Sequence, residues 1–590
     1  MSKQIQVDYD GKANRFILRC PVHANDLIRA LPNYRWSAAE RAWVVPVIRK
    51  NAEAISASIV PFAMVSDEAS AAMERAITTT SIVAGSSWPF WYSFKTEPAP
   101  YQLAALQKLY SRESMALFMD MGTGKSKTAI DMAAAKRMEG SIGSLLIVCK
   151  LSLRTNWVEQ FDIHCPIPTS IHLPDTTKQK AFESWLKSKA DFKVMIVGTE
   201  SLSAGRMYEM ADLFMKTADK PAMIVDESSM IAGPKAERSK RCVALGRQAV
   251  FRMALTGTPL RESPLDVYMQ FEYLDSNIVG IGDYFAFRNR YAVMGGYRDP
   301  KTGKPLQVVG YQNLDELIET IAPYTFQITK KQALPELPDK RYQKRVLQLT
   351  KKQKALYDEM KREGAYIVNG KELVVDNVLG QILRLHQICS GIAAEVHETV
   401  KLVKGEERVV KSYTHMLIEE PDSNPKIQEV MAILQETSDP VIIWCAYLPE
   451  IAMLVNALEK ADMGDQVIQF HGGVSEEDRD IARREFQART KRIFIGNAQT
   501  GGMGLTLTAA TTVIYVSNTH KMEDRLQSED RAHRRGQTSS PMYIDLVMEK
   551  TVDVAIIRSL QEKKDLSDFV RSRLAHATRA DLEKLFDGDV

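Results

Sequence analysis

The hydrophobic positions of this chain do not alternate with polar ones; they come in short unbroken runs. MALFM (115–119), LLIVC (145–149), VMIV (194–197), AMIV (222–225) and RMAL (252–255) succeed one another. Each is closed by a turn rich in Gly, Ser or Thr, and several lead into a helical pattern. The rhythm returns in VIIWC (441–445), QVIQF (466–470), RIFIG (492–496), TVIYVS (512–517) and YIDLV (543–547). A strand apolar at every residue is buried on both faces, as in a parallel sheet between layers of helices. The pattern therefore predicts an α/β protein with two parallel-sheet lobes. Over roughly 262–425 the chain is polar with helical spacing. The predicted boundaries are 96–340 for the first lobe, with a helical insertion from about 262. A further helical insertion occupies 341–425, the second lobe 426–550, and a C-terminal helical brace 551–590.

Ahead of the lobes, residues 1–65 read as a small α/β unit. IQVDYDGKANRFILRC gives two strands about Asp10-Gly11, a dipeptide favoured in tight hairpins. HANDLIRAL reads as a helix, and the stretches around Trp36 and Trp43 as two more strands. Residues 66–95, rich in Ala, Ser and Thr and including Ala84-Gly85-Ser86-Ser87, read as a linker. The aromatic cluster WPFWYSF (88–94) fits either packing onto the next domain or a platform for stacking bases.

Composition narrows the picture only slightly. A chain of 590 residues exceeds what one hydrophobic core holds, so several domains are expected. No run of about 18 apolar residues is present to span a membrane, and the polar start MSKQIQVDYDGK lacks the apolar stretch of a signal peptide. The six cysteines (Cys20, Cys149, Cys165, Cys242, Cys389, Cys445) are isolated, without metal-ligand spacing. That favours a reducing compartment, cytoplasmic or nuclear. Net charge is +3, from 77 basic and 74 acidic residues, and so neither demands nor excludes nucleic acid.

Three segments carry candidate chemistry. Met119-Asp120-Met121-Gly122-Thr123-Gly124-Lys125-Ser126 lies between a buried strand and the helical pattern KTAIDMAAAKRM. Glycines let backbone N–H groups wrap phosphates, a lysine reaches the β- and γ-phosphates, and a hydroxyl such as that of Ser126 can ligate Mg²⁺. The full phosphate-loop pattern lacks its first glycine, since Met119 stands there. Next, AMIV runs into Asp226-Glu227-Ser228-Ser229, which places two carboxylates at the carboxyl edge of a buried strand. There Asp226 would hold Mg²⁺ and Glu227 would polarise the attacking water. Last, Arg531 and Arg534 in QSEDRAHRRGQ (527–537) share one face of a predicted helix and could steady charge on a transferring phosphate. Each segment has a plainer reading: a structural turn, two acids at a solvated strand end, a solvated basic helix.

Taken together and in this order, the segments resemble the Swi/Snf-type ATPases of helicase superfamily two. Tyr101-Gln102 resembles the adenine-reading glutamine motif, DMGTGKS the family's phosphate loop, and DESS its DEAH box. LLIVCKLSLRTNW (145–157) and MIVGTESL (195–202) resemble motifs Ia and Ib, and ALTGTPL (254–260) the coupling motif III. ILRLHQICSG (382–391), VIIWCAY, QFHGGVSEEDR (469–479) and NAQTGGMGLTLTAATTVIY (497–515) resemble later blocks. DRLQSEDRAHRRGQ (524–537) resembles the most family-specific signature, DRAHRIGQ. The resemblance runs from Tyr101 to about Phe569 and implies two RecA-like lobes that hydrolyse ATP with Mg²⁺ while moving along double-stranded DNA.

Residue by residue, the resemblance implies nucleotide contacts from Gln102, Gly122, Thr123, Gly124, Lys125, Ser126 and Gln527. It implies metal contacts from Ser126 and Asp226, and catalytic roles for Lys125, Asp226, Glu227, Arg531 and Arg534. Coupling falls to Thr256, Gly257 and Thr258, and contacts with the DNA phosphates to Thr199, Glu200, Gly501, Gly502 and Thr506. Three departures stand out. Ser229 replaces the histidine of DEAH, which in the family contacts the coupling motif rather than the phosphates. Arg535 replaces an apolar residue, and FQITKK (326–331) replaces LRRTK. YRWSAAERAWVVP faintly resembles the HARP domain of annealing helicases, which adds forked or branched DNA to the possible partners. A strand-separating or annealing helicase, or a motor subunit of a replication or recombination complex, is the rival expectation.

Overall fold

In the computed structural model the chain divides into two compact units, Met1–Ala333 and Leu334–Val590. The structure describes residues 5–562 and 587, apart from 11–14, 22–23, 32–33, 39, 48, 79–87, 204, 260–262, 299–304, 369–374, 404–405, 419 and 499–504.

The first unit opens with a five-stranded sheet of β1 (Ile5–Asp10), β2 (Arg15–Arg19), β3 (Arg35–Ser37), β4 (Ala42–Pro46) and β5 (Ala63–Val65). Their order is β3-β4-β2-β1-β5. The segment read as a linker is partly structured. Residues Asp67–Thr78 form a helix whose Ala69, Ala72 and Met73 join the core of this sheet. Alanine is the best helix former, and the i, i+3, i+4 spacing of these three buries one face; the Ala/Ser/Thr content that suggested a linker suits such a helix equally well.

The main sheet of the first unit has seven strands: β6 (Ser114–Met119), β7 (Ser144–Cys149), β8 (Ser170–His172), β9 (Lys193–Gly198), β10 (Pro221–Asp226), β11 (Phe251–Thr256) and β14 (Thr325–Ile328). Their order is β14-β6-β11-β10-β7-β9-β8, and every pairing is parallel. β6, β7 and β10 are buried at every residue, and separate apolar cores fill the two faces. The five runs read as buried strands are β6, β7, β9, β10 and β11. A separate hairpin, β12 (Ala292–Arg298) and β13 (Pro305–Tyr311), lies in the stretch expected to be helical.

The second unit holds a six-stranded sheet: β15 (Arg341–Leu347), β18 (Val441–Cys445), β19 (Val467–Phe470), β20 (Ile493–Asn497), β21 (Thr512–Tyr515) and β22 (Met542–Met548). Its order is β15-β22-β21-β18-β20-β19, again parallel throughout. The expected helical insertion at 341–425 is corrected on two counts. Residues 341–347 are the edge strand β15, and Ile392–Val403 with Glu406–Leu417 form a long antiparallel hairpin, β16 and β17. Helices Lys351–Val368 and Val375–Cys389 fill most of the remainder. Helix Val552–Gln561 packs with the second of these, while 563–586 of the expected C-terminal brace lie outside the described residues. Among the described residues no helix is long and apolar enough to cross a membrane.

Candidate active site

β6 ends at Met119, and the chain turns through Asp120–Gly124 into helix Lys125–Met138. The missing first glycine has a simple account: Met119 is still inside the strand, fully buried, so the turn begins after it. Gly122 and Gly124 have φ of +80° and +84°, the left-handed region that L side chains avoid. A Cβ on Gly124 would also stand 2.2 Å from Gln102 Nε2. The first N–H groups of the helix have no intrahelical acceptor, and the helix dipole favours an anion there. Lys125 Nζ curls over the loop, donating to the carbonyls of Met119 (2.8 Å) and Asp120 (3.4 Å). Ser126 follows it in the first turn, half-buried.

The loop is tied down from outside. Thr123 Oγ1 donates to the Asp120 carbonyl at 2.7 Å, and the Asp120 carboxylate accepts the Lys330 N–H at 2.7 Å. The FQITKK segment thus supplies β14 and one anchor of the phosphate loop. Gln102, expected to read adenine, is buried here with its amide on the protein backbone. Its Oε1 accepts the Ala99 N–H (2.9 Å), and its Nε2 donates to the Thr123 carbonyl (3.0 Å), which Tyr101 OH also reaches (3.0 Å). Behind the loop, Lys127 and Asp131 form a buried ion pair of 2.7 Å, and Tyr92 OH donates to the same carboxylate at 2.9 Å. Tyr92 and Phe94 therefore pack onto this lobe rather than offering a stacking surface, although Phe90 is fully exposed.

β10 delivers the two acids to the same sheet edge. Asp226 Oδ2 accepts from Trp157 Nε1 at 2.9 Å, and Oδ1 from the Glu227 N–H at 3.0 Å. Burial pushes the Asp226 carboxyl above its usual range, against the pull of the Lys125 ammonium and these two donors. A buried carboxylate so placed suits a cation. Among the described residues no cluster of three acids, histidines or cysteines forms a metal cage. Mg²⁺ carried on a nucleotide needs only one or two protein ligands, and Asp226 with Ser126 fits that requirement.

Glu227 adopts φ +50°, uncommon for a residue with a side chain. Thr256 Oγ1 donates to its Oε2 at 3.4 Å and accepts the Thr258 N–H at 3.0 Å. Gly257 lies against the phosphate loop, where a Cβ would meet Met121 N at 3.3 Å. Because β6, β11 and β10 are neighbours in the sheet, the phosphate loop, TGT and DESS converge on one edge. The plainer reading of the second segment, a solvated strand end, does not match the burial of Asp226 and Glu227.

Two residues expected to contact DNA, Thr199 and Glu200, directly follow β9. Thr199 is wholly buried, and its N–H donates to the Cys149 carbonyl at 2.7 Å. Glu200 is exposed, and its carboxylate accepts the Leu151 N–H at 3.1 Å, which ties it to the turn after β7. Gly501 and Gly502 lie outside the described residues.

In the second unit helix Met522–Ala532 is not a solvated basic helix. Arg525, Gln527, Ser528, Glu529, Asp530 and Arg531 are all buried. Arg525 pairs with Asp545 (2.5 Å) and Glu529 (2.7 Å) and lies 3.6 Å over the Tyr515 ring. Gln527, expected at the nucleotide, donates to Glu523 of its own helix at 2.8 Å. Arg531 and Arg534 converge on the Leu505 carbonyl, at 3.3 and 3.0 Å, and Arg534 also reaches Thr506 Oγ1 at 3.2 Å. Burial lowers the Arg534 pKa. The structure thus brings Arg531, Arg534 and Thr506 together at one loop of this unit. Sequence reasoning missed Gln537, whose Nε2 faces the carbonyls of Thr508, Ala510 and Ala532 within 3.2 Å and closes that loop onto the helix. Its place in the DRAHRRGQ signature was the available signal.

The chain is similar to known proteins. Residues 101–392 match the SNF2-related domain, and residues 425–536 the helicase conserved C-terminal domain. The zebrafish (Danio rerio) chromodomain-helicase-DNA-binding protein 1-like is 25% identical over 480 residues, covering 80% of this chain and 44% of its own. The putative ATP-dependent helicase/translocase YwqA of Bacillus subtilis is 24% identical over 512 residues, covering 84% and 51%. The chain therefore spans about half the length of these relatives. A solved Sulfolobus solfataricus SWI2/SNF2 ATPase core in complex with dsDNA is 21% identical, with a TM-score of 0.35 over 84% of this chain and 98% of that one.

Proposed function

Because this chain belongs to the Swi/Snf-type ATPases of helicase superfamily two, we propose that it couples ATP hydrolysis to movement along double-stranded DNA. The observation that carries this is the meeting of phosphate loop, DESS and TGT on one sheet edge, with Arg531 buried in helix Met522–Ala532 of the second unit. The phosphate loop and Lys125 hold the phosphates, while Ser126 and Asp226 hold the Mg²⁺ that arrives with ATP. Glu227 accepts a proton from the attacking water. Arg531 and Arg534 supply positive charge to the transferring phosphate. Backbone contacts with DNA carry little sequence information, so binding is sequence-neutral and weakens steeply with salt. The test is ATPase rate with duplex DNA, single-stranded DNA, forked DNA and RNA compared side by side. Duplex DNA is expected to stimulate most, and stimulation by RNA alone would sink the DNA reading.

A further inference from the structure

The family's link between the DEAH histidine and the coupling motif is absent at its usual position. Ser229, which stands there, is buried, and its Oγ has no hydrogen-bond partner among the described residues. Its neighbour Ser228 is placed differently. Ser228 Oγ donates at 2.7 Å to Oε1 of Gln270, in helix Val267–Val279, and both residues are fully buried. The other end of the same amide donates to the Pro259 carbonyl at 2.8 Å, directly after the TGT motif, and to the Asp266 carbonyl at 3.1 Å.

We propose that Gln270 is a positioning residue that couples the DESS turn to the TGTP segment through Ser228, in place of the link the histidine would make. Three features argue for it. An amide has an acceptor at one end and donors at the other, so a single side chain can be pulled from both sides. Ser228 follows Glu227 directly, and Glu227 holds an unfavourable left-handed backbone that persists only if its surroundings fix it. A movement of Pro259 is therefore passed to the residue placed to polarise water, without Gln270 touching ATP. The path joins the Thr256–Glu227 contact as a second, parallel tie between the two motifs.

The inference rests on the proposed ATPase cycle, and its test uses the full chain with and without duplex DNA. Ser228→Ala and Gln270→Met each remove the tie while keeping most of the volume. Each is expected to lower DNA-stimulated kcat by about tenfold, the equivalent of one buried hydrogen bond. The KM for ATP is expected to stay within about twofold of wild type, as for an interaction lost only in the transition state. The double variant is expected to be no slower than the poorer single one, because both break one chain of contacts. A lowered melting temperature with unchanged kcat would overturn the relay, as would additive losses in the double variant. Wild-type protein that DNA fails to stimulate would count against the DNA reading instead, and the relay would then be read from the basal kcat of the same variants.

Discussion

Asp131→Ala probes how the phosphate-loop helix is held from behind. Asp131 is fully buried and Lys127 nearly so, 2.7 Å apart, and the ammonium's other acceptor is the Thr96 carbonyl at 2.9 Å. Removing the carboxylate leaves a buried ammonium facing one carbonyl and deprives Tyr92 OH of its acceptor. Breaking a buried pair from one side costs about 3–5 kcal/mol. At about 2.1 cal/mol/K of unfolding entropy per residue, a unit spanning Met1–Ala333 moves Tm by about 1.4 °C for each kcal/mol, so calorimetry is expected to show a fall of about 4–7 °C. The double variant Lys127→Met/Asp131→Leu is expected to recover most of that, because an apolar pair of similar volume avoids burying two charges. A single variant that melts within about 2 °C of wild type, or a double variant worse than the single, would refute the reasoning.

Lys125→Ala is expected to abolish ATP turnover with circular dichroism unchanged, since among the described residues its hydrogen bonds go to the Met119 and Asp120 carbonyls beside it; residual turnover near wild type would contradict its role. Arg531→Ala and Arg534→Ala are each expected to lower kcat by about 10³-fold with little change in ATP affinity, whereas a lowered melting temperature with intact kcat would make both arginines structural. His386 and His520 are held below their usual pKa by burial, His520 at about 4. The unfolded chain therefore binds more protons, and stability is lost as pH falls from about 6.5 towards 4, at up to about 1.4 kcal/mol per pH unit for each histidine. His520→Leu is expected to flatten the decline of Tm with acid by one histidine's share; an unchanged slope would show that His520 is not buried neutral.

The interior strands were legible because parallel strands covered on both faces are apolar at nearly every position, in runs too short for a buried helix. β14 and β15 were not, since each lies at a sheet edge; the burial of β15 is mostly exposed, so RYQKRVL reads as polar chain until β22 pairs with it. The phosphate loop and the acids of DESS were legible because their chemistry depends on residue type in a short span. The burial of Thr199 was not legible, as a motif position does not record whether the side chain faces out. Gln102, Gln270 and Gln537 act as clamps on distant carbonyls, and a glutamine's partners are set by tertiary contact. The charges of DRLQSEDRAHRRGQ (524–537) looked like solvent-facing ones, yet Arg525, Glu529 and Asp530 find Lys340 and Asp545 far along the chain.

Movement along intact duplex is the claim on which the account turns, and displacement of a triplex-forming strand measures it directly. With ATP and Mg²⁺ the wild-type protein is expected to strip the third strand while leaving the duplex paired. Glu227→Gln is expected to bind ATP and DNA yet displace nothing. ATP-driven unwinding of a plain tailed duplex without triplex displacement would contradict the account and place the protein among strand-separating helicases.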